Sequence, residues 1–349
     1  MSPPIKNVYY MLSYAFENLR FKEYEDVAAE EFDNIYNLFS KILITALNKQ
    51  IKQGIYRDYI EVAETTSFIR GKINITESIN ELSLIYKKLN CTFDEFSVNS
   101  YLNKIIKTTL NILLKAEIKD VHRVDIKNIL LYFRDVDTLD TNSINWQIRY
   151  DRNNQDYRLI IGVCQLTIKG LLQSDKKGEM KLMKFFDDDQ MAYLYEKFIL
   201  NFYREECPSI HAHSPQVKWQ LEGEGDDLLP KMQTDITLEY KDKILIIDAK
   251  YYSNITQTNF DKKSIRNNNL YQIFTYVKNM AADPSNKSCE VSGMLLYAQT
   301  NEKIQPDSSY SMSGNKICVR TLNLNDNFDK IKFNLIDIAK KWISEEKSY

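Results

Sequence analysis

The chain has 349 residues, 44% hydrophobic and 27% charged, with a formal net charge of −2. That length predicts two domains of an ordinary globular composition, and it excludes a disordered or fibrous protein. The missing basic excess argues against a protein that holds DNA unaided, because neutralising phosphates drives such binding.

Only 9 Gly and 7 Pro interrupt the chain, against 23 Tyr, so long helices with compact connections are expected. Five cysteines (Cys91, Cys164, Cys207, Cys289, Cys318) lie far apart with no C-x-x-C spacing, which speaks for a reducing cytosol and against a disulfide framework or a zinc site. Neither a cleavable signal pattern nor about 18 consecutive apolar residues is visible, so a soluble, cytoplasmic protein with no membrane partner is expected.

A first helix is predicted over 7–19, with Tyr10, Met11, Tyr14, Ala15 and Leu19 at helical spacing. A second follows over 32–53, with Gly54 as its stop. The period then changes: residues 59–77 read as strands, with Gly71 at a bend and Arg70 and Lys72 on one face. Residues 79–89 read as helix, and 96–117 as a long helix striped by Leu102, Ile105, Ile106, Leu110, Leu113 and Leu114. Two more helices are expected over 124–133 and 157–172. The charged segment at 173–180 is the expected domain boundary, giving domains 1–180 and 181–349.

The second domain opens on Asp187-Asp188-Asp189, which suits the N-terminus of a helix over 190–206. Glu196 lies on that helix. His211 and His213 share one side of an extended segment, with no third ligand close in sequence. An acidic loop at 222–227 precedes the most informative stretch, 231–252.

Residues 233–240 and 243–252 read as a hairpin around Lys241-Asp242, its second strand entered by Ile244-Leu245-Ile246-Ile247. Alternation places Ile244, Ile246, Asp248 and Lys250 on one face. A two-residue turn then sets Asp235 opposite Asp248. Like charges across a ladder are destabilising, so this pair asks for a cation. Oxygen ligands favour Mg²⁺ or Mn²⁺, and Lys250 is placed to orient or deprotonate a water and to stabilise phosphate charge. After the hairpin come a polar loop with Lys262, Lys263 and Arg266, and a helix over 269–280 carrying Gln272 and Tyr276 four apart. Strands over 291–299 and 316–324 and a closing helix over 328–344 complete a mixed sheet flanked by helices, with the acids on its two central strands. The fold class is therefore α+β: a mostly helical first domain with a small β part, then a mixed sheet. No P-loop, nucleophile elbow or H-E-x-x-H is present, so any nucleotide chemistry belongs to another chain.

The arrangement Asp-x₁₂-Asp-x-Lys resembles the PD-(D/E)xK nuclease core, with Gln233-Thr234 where a Pro stands in the motif. The similarity extends further. NVYYMLSYAF, LNKIIKTTLNILLK, LYEKFILNFYREE, LLPKMQTDITLEYKDKILIIDAKYY and NLYQIFTYV resemble McrC, the nuclease subunit of McrBC-type modification-dependent restriction systems. This resemblance implies Asp235 and Asp248 as metal-binding catalytic acids, Lys250 as catalytic lysine, Gln272 and Tyr276 as the following helix motif, and Glu196 as a further acid. It implies Mg²⁺ as cofactor and double-stranded DNA with modified cytosine as substrate. It also implies a McrB-like AAA+ GTPase hexamer as partner, which binds the GTP and is stimulated by the N-terminal half. The alternatives are a catalytically silent assembly factor and GTPase activator, and a stand-alone nuclease.

Overall fold

The structure is a computed structural model and describes residues 3–16, 27, 30, 32–176, 188–221, 223, 228–252, 254–259 and 262–344. It divides into two compact units, Lys22–Met183 and Met1–Phe21 with Lys184–Tyr349. Helix α1 (Ile5–Ala15) therefore belongs with the C-terminal residues, unlike the expected first domain of 1–180. Its contacts give the reason. Asn7 Nδ2 donates to the carbonyls of Leu324 and Asp326, both at 2.8 Å, and Tyr14 packs among Phe198, Phe202 and Phe328. Leu19, Glu222 and residues 177–187 and 224–227 lie outside the described residues, Asp187 and most of the acidic loop among them.

In the unit Lys22–Met183, helix α2 (Ile35–Gln53) starts where the Asn34 side chain accepts from Asn37 N–H. It buries Leu38, Phe39, Ile42, Leu43 and Leu47. A three-stranded antiparallel sheet follows, with the order β1 (Asp58–Thr66), β3 (Leu89–Ser97), β2 (Lys72–Ile73). Residues 79–97 depart from the helical expectation. A short helix α3 (Ile75–Asn80) and a 3₁₀ turn are broken by Leu82 and Lys87, both at positive φ, and the chain then pairs with β1 as Val62↔Phe93. The long helix expected from 96 begins only at Tyr101, as α4 (Tyr101–Leu113), capped by Ser100. Helices α5 (Asp120–Leu130) and α6 (Tyr157–Lys176) complete the unit. Its core takes Leu102, Ile105, Ile106 and Leu110 from α4 with Ile160 and Val163 from α6. Each such side chain contributes roughly 1.5–3 kcal/mol on burial.

In the other unit, helix α7 (Asp188–Glu206) buries Tyr195, Phe198, Phe202 and Tyr203. Short strands β4 (His211–His213), β5 (Gln216–Val217) and β6 (Met232–Gln233) lead to the hairpin β7 (Ile236–Tyr240) and β8 (Lys243–Lys250). The turn has Lys241 at φ 54°, and Tyr240 pairs with Lys243 as the two-residue count requires. The polar segment after the hairpin holds a second small hairpin, β9 (Thr256–Asn259) and β10 (Lys262–Ile265), instead of a plain loop. Helix α8 (Asn267–Ala282) leads into β11 (Glu290–Ala298). Strands β12 (Ser308–Met312) and β13 (Asn315–Leu322) and helix α9 (Phe328–Ser344) end the unit.

The six-stranded sheet has the order β12-β13-β11-β8-β7-β4. β8, β11 and β13 run parallel, while β7, β4 and β12 are antiparallel to their neighbours. β8 is central and buried on both faces, as its apolar run requires, whereas β7 lies one strand from the edge. Ile273 and Val277 of α8 pack on the sheet with Ile244, Ile246, Leu295 and Val319. Gly293 permits that approach: a Cβ there would meet Val277 Cγ2 at 2.7 Å and Ile273 Cγ1 at 2.9 Å.

Candidate active site

The hairpin ladder closes at Ile236↔Ile247, and one step further sets Asp235 against Asp248. Their carboxyl groups lie within hydrogen-bonding range of each other. The Asp248 side chain is wholly buried, at 0% exposure, and meets the Lys250 ammonium at 2.9 Å. Among the described residues no hydrogen-bond donor satisfies Asp248 Oδ2. Asp235 Oδ2 accepts from the Ala249 N–H at 3.1 Å, which fixes it at the end of the ladder.

Burial pushes the Asp248 carboxyl well above the usual range, opposed by Lys250 and reinforced by Asp235. Asp235 is raised too, chiefly by burial, against the pull of Lys250 and the Ala249 N–H. Burial alone would lower Lys250, but the two carboxylates outweigh it and hold the ammonium above the ordinary lysine range. Glu196 of α7 lies in the field of this pair: burial, then the charge of Asp235, raises it from 4.5 to about 7, with Asp248 adding and Lys250 opposing. Three carboxyl groups against the Lys250 ammonium, with Lys197 acting more weakly on Glu196 and Asp235, leave the site short of positive charge.

That deficit fits a hard divalent cation. Asp235, Asp248 and Glu196 are oxygen donors of the required type, and the unsatisfied Asp248 Oδ2 is the kind of buried acceptor an ion completes. Mg²⁺ and Mn²⁺ both suit such a set.

Gln272 and Tyr276 are brought to each other, Gln272 Nε2 donating to Tyr276 Oη at 3.0 Å. Tyr276 is buried in the cluster with Ile244 and Ile246. Among the described residues neither makes a hydrogen bond to the acids. One turn earlier on α8, Asn269 lies nearer the site. It donates to Tyr297 Oη at 2.9 Å and accepts from Tyr252 at 3.2 Å, and Tyr297 stands opposite Lys250 in register. Burial raises the Tyr297 hydroxyl to about 12, partly offset by Asn269, with the Asp248 charge adding to the rise. Sequence reasoning passed over this trio. A signal was present, since a hydroxyl ending the apolar run of β11 mirrors the acid ending that of β8. Arg266, expected on a polar loop, stacks over Tyr252 at 4.6 Å and donates to Asn254 O. His211 and His213 meet Glu239, a third possible ligand that the sequence did not reveal.

The family described as "McrBC 5-methylcytosine restriction system component" matches residues 5–298. The chain belongs to the McrBC family. It is 28% identical over 346 residues to the Type IV methyl-directed restriction enzyme EcoKMcrBC of Escherichia coli (strain K12), covering 97% of this chain and 98% of that protein. Two solved structures from Thermococcus gammatolerans are similar more distantly. A half-complex of McrB AAA+ hexamers with bound McrC shares 15% identity at a TM-score of 0.46, over 96% of this chain and 76% of that one. A McrBC complex shares 20% at a TM-score of 0.41, over 58% of each chain. Neither is close enough to transfer geometry. Among the described residues, no helix is long and apolar enough to cross a membrane.

Proposed function

We propose that this chain is the nuclease subunit of a GTP-dependent restriction complex acting on DNA with modified cytosine. The observation that carries the proposal is the buried Asp248 facing Asp235, with Lys250 at 2.9 Å and Glu196 raised to about 7 beside them. A carboxylate cluster of this cost persists where it binds something.

Asp235, Asp248 and Glu196 would hold Mg²⁺. When bound, the ion supplies charge neutralisation at the scissile phosphate. In the metal-free protein the two acids hold the proton on Lys250. Its ammonium acts through charge and donated hydrogen bonds, orienting a water and stabilising the phosphorane-like transition state. The Asn269–Tyr297–Tyr252 hydrogen bonds steady the wall beside Lys250.

The partner in this proposal is a McrB-like AAA+ GTPase hexamer, which supplies GTP binding and most of the DNA holding. The chain's net charge of −2 supports that division of labour. So do the connections of the small sheet of the unit Lys22–Met183, where Phe68 and Ile69 between β1 and β2, and Ile85 and Tyr86 in the 3₁₀ turn before β3, are each at least 70% exposed. Apolar groups displayed in this density mark a docking surface.

The test is cleavage of modified-cytosine DNA with Mg²⁺, the partner and GTP, comparing wild type with Asp248→Asn while GTP turnover is followed in the same reaction. Loss of cutting with preserved GTPase stimulation supports both halves of the proposal. Equal cutting by both proteins refutes the nuclease assignment. Stimulation without cutting by the wild type would favour the assembly-factor reading.

A further inference from the structure

We propose that His211, His213 and Glu239 form a second metal site, for a transition-metal cation of the Zn²⁺ class. It is separate from the carboxylate cluster. β4 is the edge strand and pairs with β7 as His211↔Glu239 and His213↔Thr237. Alternation puts both imidazoles on the face that carries Glu239. His213 Nε2 lies 2.8 Å from Glu239 Oε1, and the two imidazole rings are 4.5 Å apart. One ligand atom from each of the three side chains falls within 4.8 Å of the others.

Four ligands at 2.0–2.1 Å around a tetrahedral ion stand about 3.3 Å from one another. The His213–Glu239 spacing is 2.8 Å and every other ligand pair lies within 4.8 Å, so small side-chain rotations close the set. Two imidazoles and one carboxylate select Zn²⁺, Co²⁺ or Ni²⁺ over Mg²⁺, which prefers oxygen alone. Three protein ligands leave a fourth position for water, and partial exposure of His213 and Glu239 gives the ion access. Glu239 of β7 and Asp235, just before that strand, fall on one face but are four residues apart, or ~13 Å along the chain direction. One ion cannot serve both clusters. A bound ion would pin the three-residue edge strand to β7.

The experiment is a Co²⁺ titration of the full chain after chelator treatment, followed by visible absorption. Four- and five-coordinate Co²⁺ absorbs far more strongly than octahedral, so the nitrogen site is read apart from the acids. Wild type and Asp248→Asn should saturate an intense band at one equivalent, and Zn²⁺ should displace it. His211→Ala, His213→Gln and Glu239→Gln should each weaken binding by more than about 100-fold, beyond the range of an outer-shell change. His211 is exposed on the edge strand, so its variant tests the site without threatening the fold. Four results would overturn the proposal: no intense band in the wild type, a band that survives His211→Ala, a band lost in Asp248→Asn, or a thiolate charge-transfer band implicating Cys207 or Cys289.

Discussion

Replacing Glu196 by Gln should make the metal-free protein more stable at pH 8 and leave it nearly unchanged near pH 4.5. The folded chain holds the Glu196 proton up to about pH 7, against an ordinary value of 4.5. Between those limits the native state binds more protons than the unfolded one, so stability falls as pH rises through the window and is level above it. The full gap corresponds to ~3.4 kcal/mol at 1.36 kcal/mol per pH unit. Partial exposure of the side chain discounts this to roughly 2 kcal/mol. Glu196→Gln removes that penalty while keeping the shape. The assay is denaturant unfolding in EDTA at pH 4.5, 6 and 8, in a Trp146→Phe background so that Trp219 and Trp342 report on the unit that holds the site. The variant should gain about 2 kcal/mol at pH 8. Saturating Mg²⁺ should then stabilise wild type more than the variant, because the ion favours the deprotonated carboxylate. Equal stability at pH 8, or a less stable variant, would show that burial and the nearby Asp235 and Asp248 do not raise Glu196 in the folded chain.

Lys250→Met leaves Asp248 buried without its counter-charge, and the same unfolding curves should show a loss of roughly 3–5 kcal/mol at pH 8 that shrinks as Asp248 protonates at low pH. Gly293→Ala should cost ~1–3 kcal/mol by forcing α8 off the sheet, and Val277→Ala in the same chain, which removes the Cγ2 that the new Cβ would meet, should recover part of it in a double-mutant cycle. Gly71→Ala should lower the melting point of the unit Lys22–Met183, since Gly71 sits at φ +65° and an added Cβ would lie 2.3 Å from the Thr92 carbonyl oxygen. Strain of that kind is worth about 1–3 kcal/mol, so an unchanged melting curve would mean the β1–β2 connection relaxes freely.

What the sequence revealed of the site was set by local spacing. A two-residue turn and a period of two fix the pairing of Asp235 with Asp248 without reference to the rest of the chain, and the ladder through Tyr240↔Lys243 bears that count out. The mixed sheet and its flanking helices were legible for the same reason, because each apolar run carries its own period. Misreadings fell where pairing is remote or side chains look alike in both periods. LNCTFDEFS was split between helices because its partner, β1, lies some thirty residues back.

The third acid and the imidazole cluster lie beyond any spacing rule. Glu196 is one of many helical glutamates until the crossing of α7 over the hairpin gives it two aspartates as neighbours. His211 and His213 lack a third ligand until β4 takes the sheet edge beside β7 and brings in Glu239, 26 residues onward from His213. Strand order decides this, and strand order depends on how the whole sheet buries its apolar faces. A hairpin therefore announces its chemistry from sequence when both partners are contiguous. A cluster shared between an edge strand and an inner one does not, even when each residue is noticed separately. The same limit explains α1: NVYYMLSYAF reads as a helix, but nothing within it says that Tyr14 packs against Phe198 and Phe202, with the whole unit Lys22–Met183 between them in sequence.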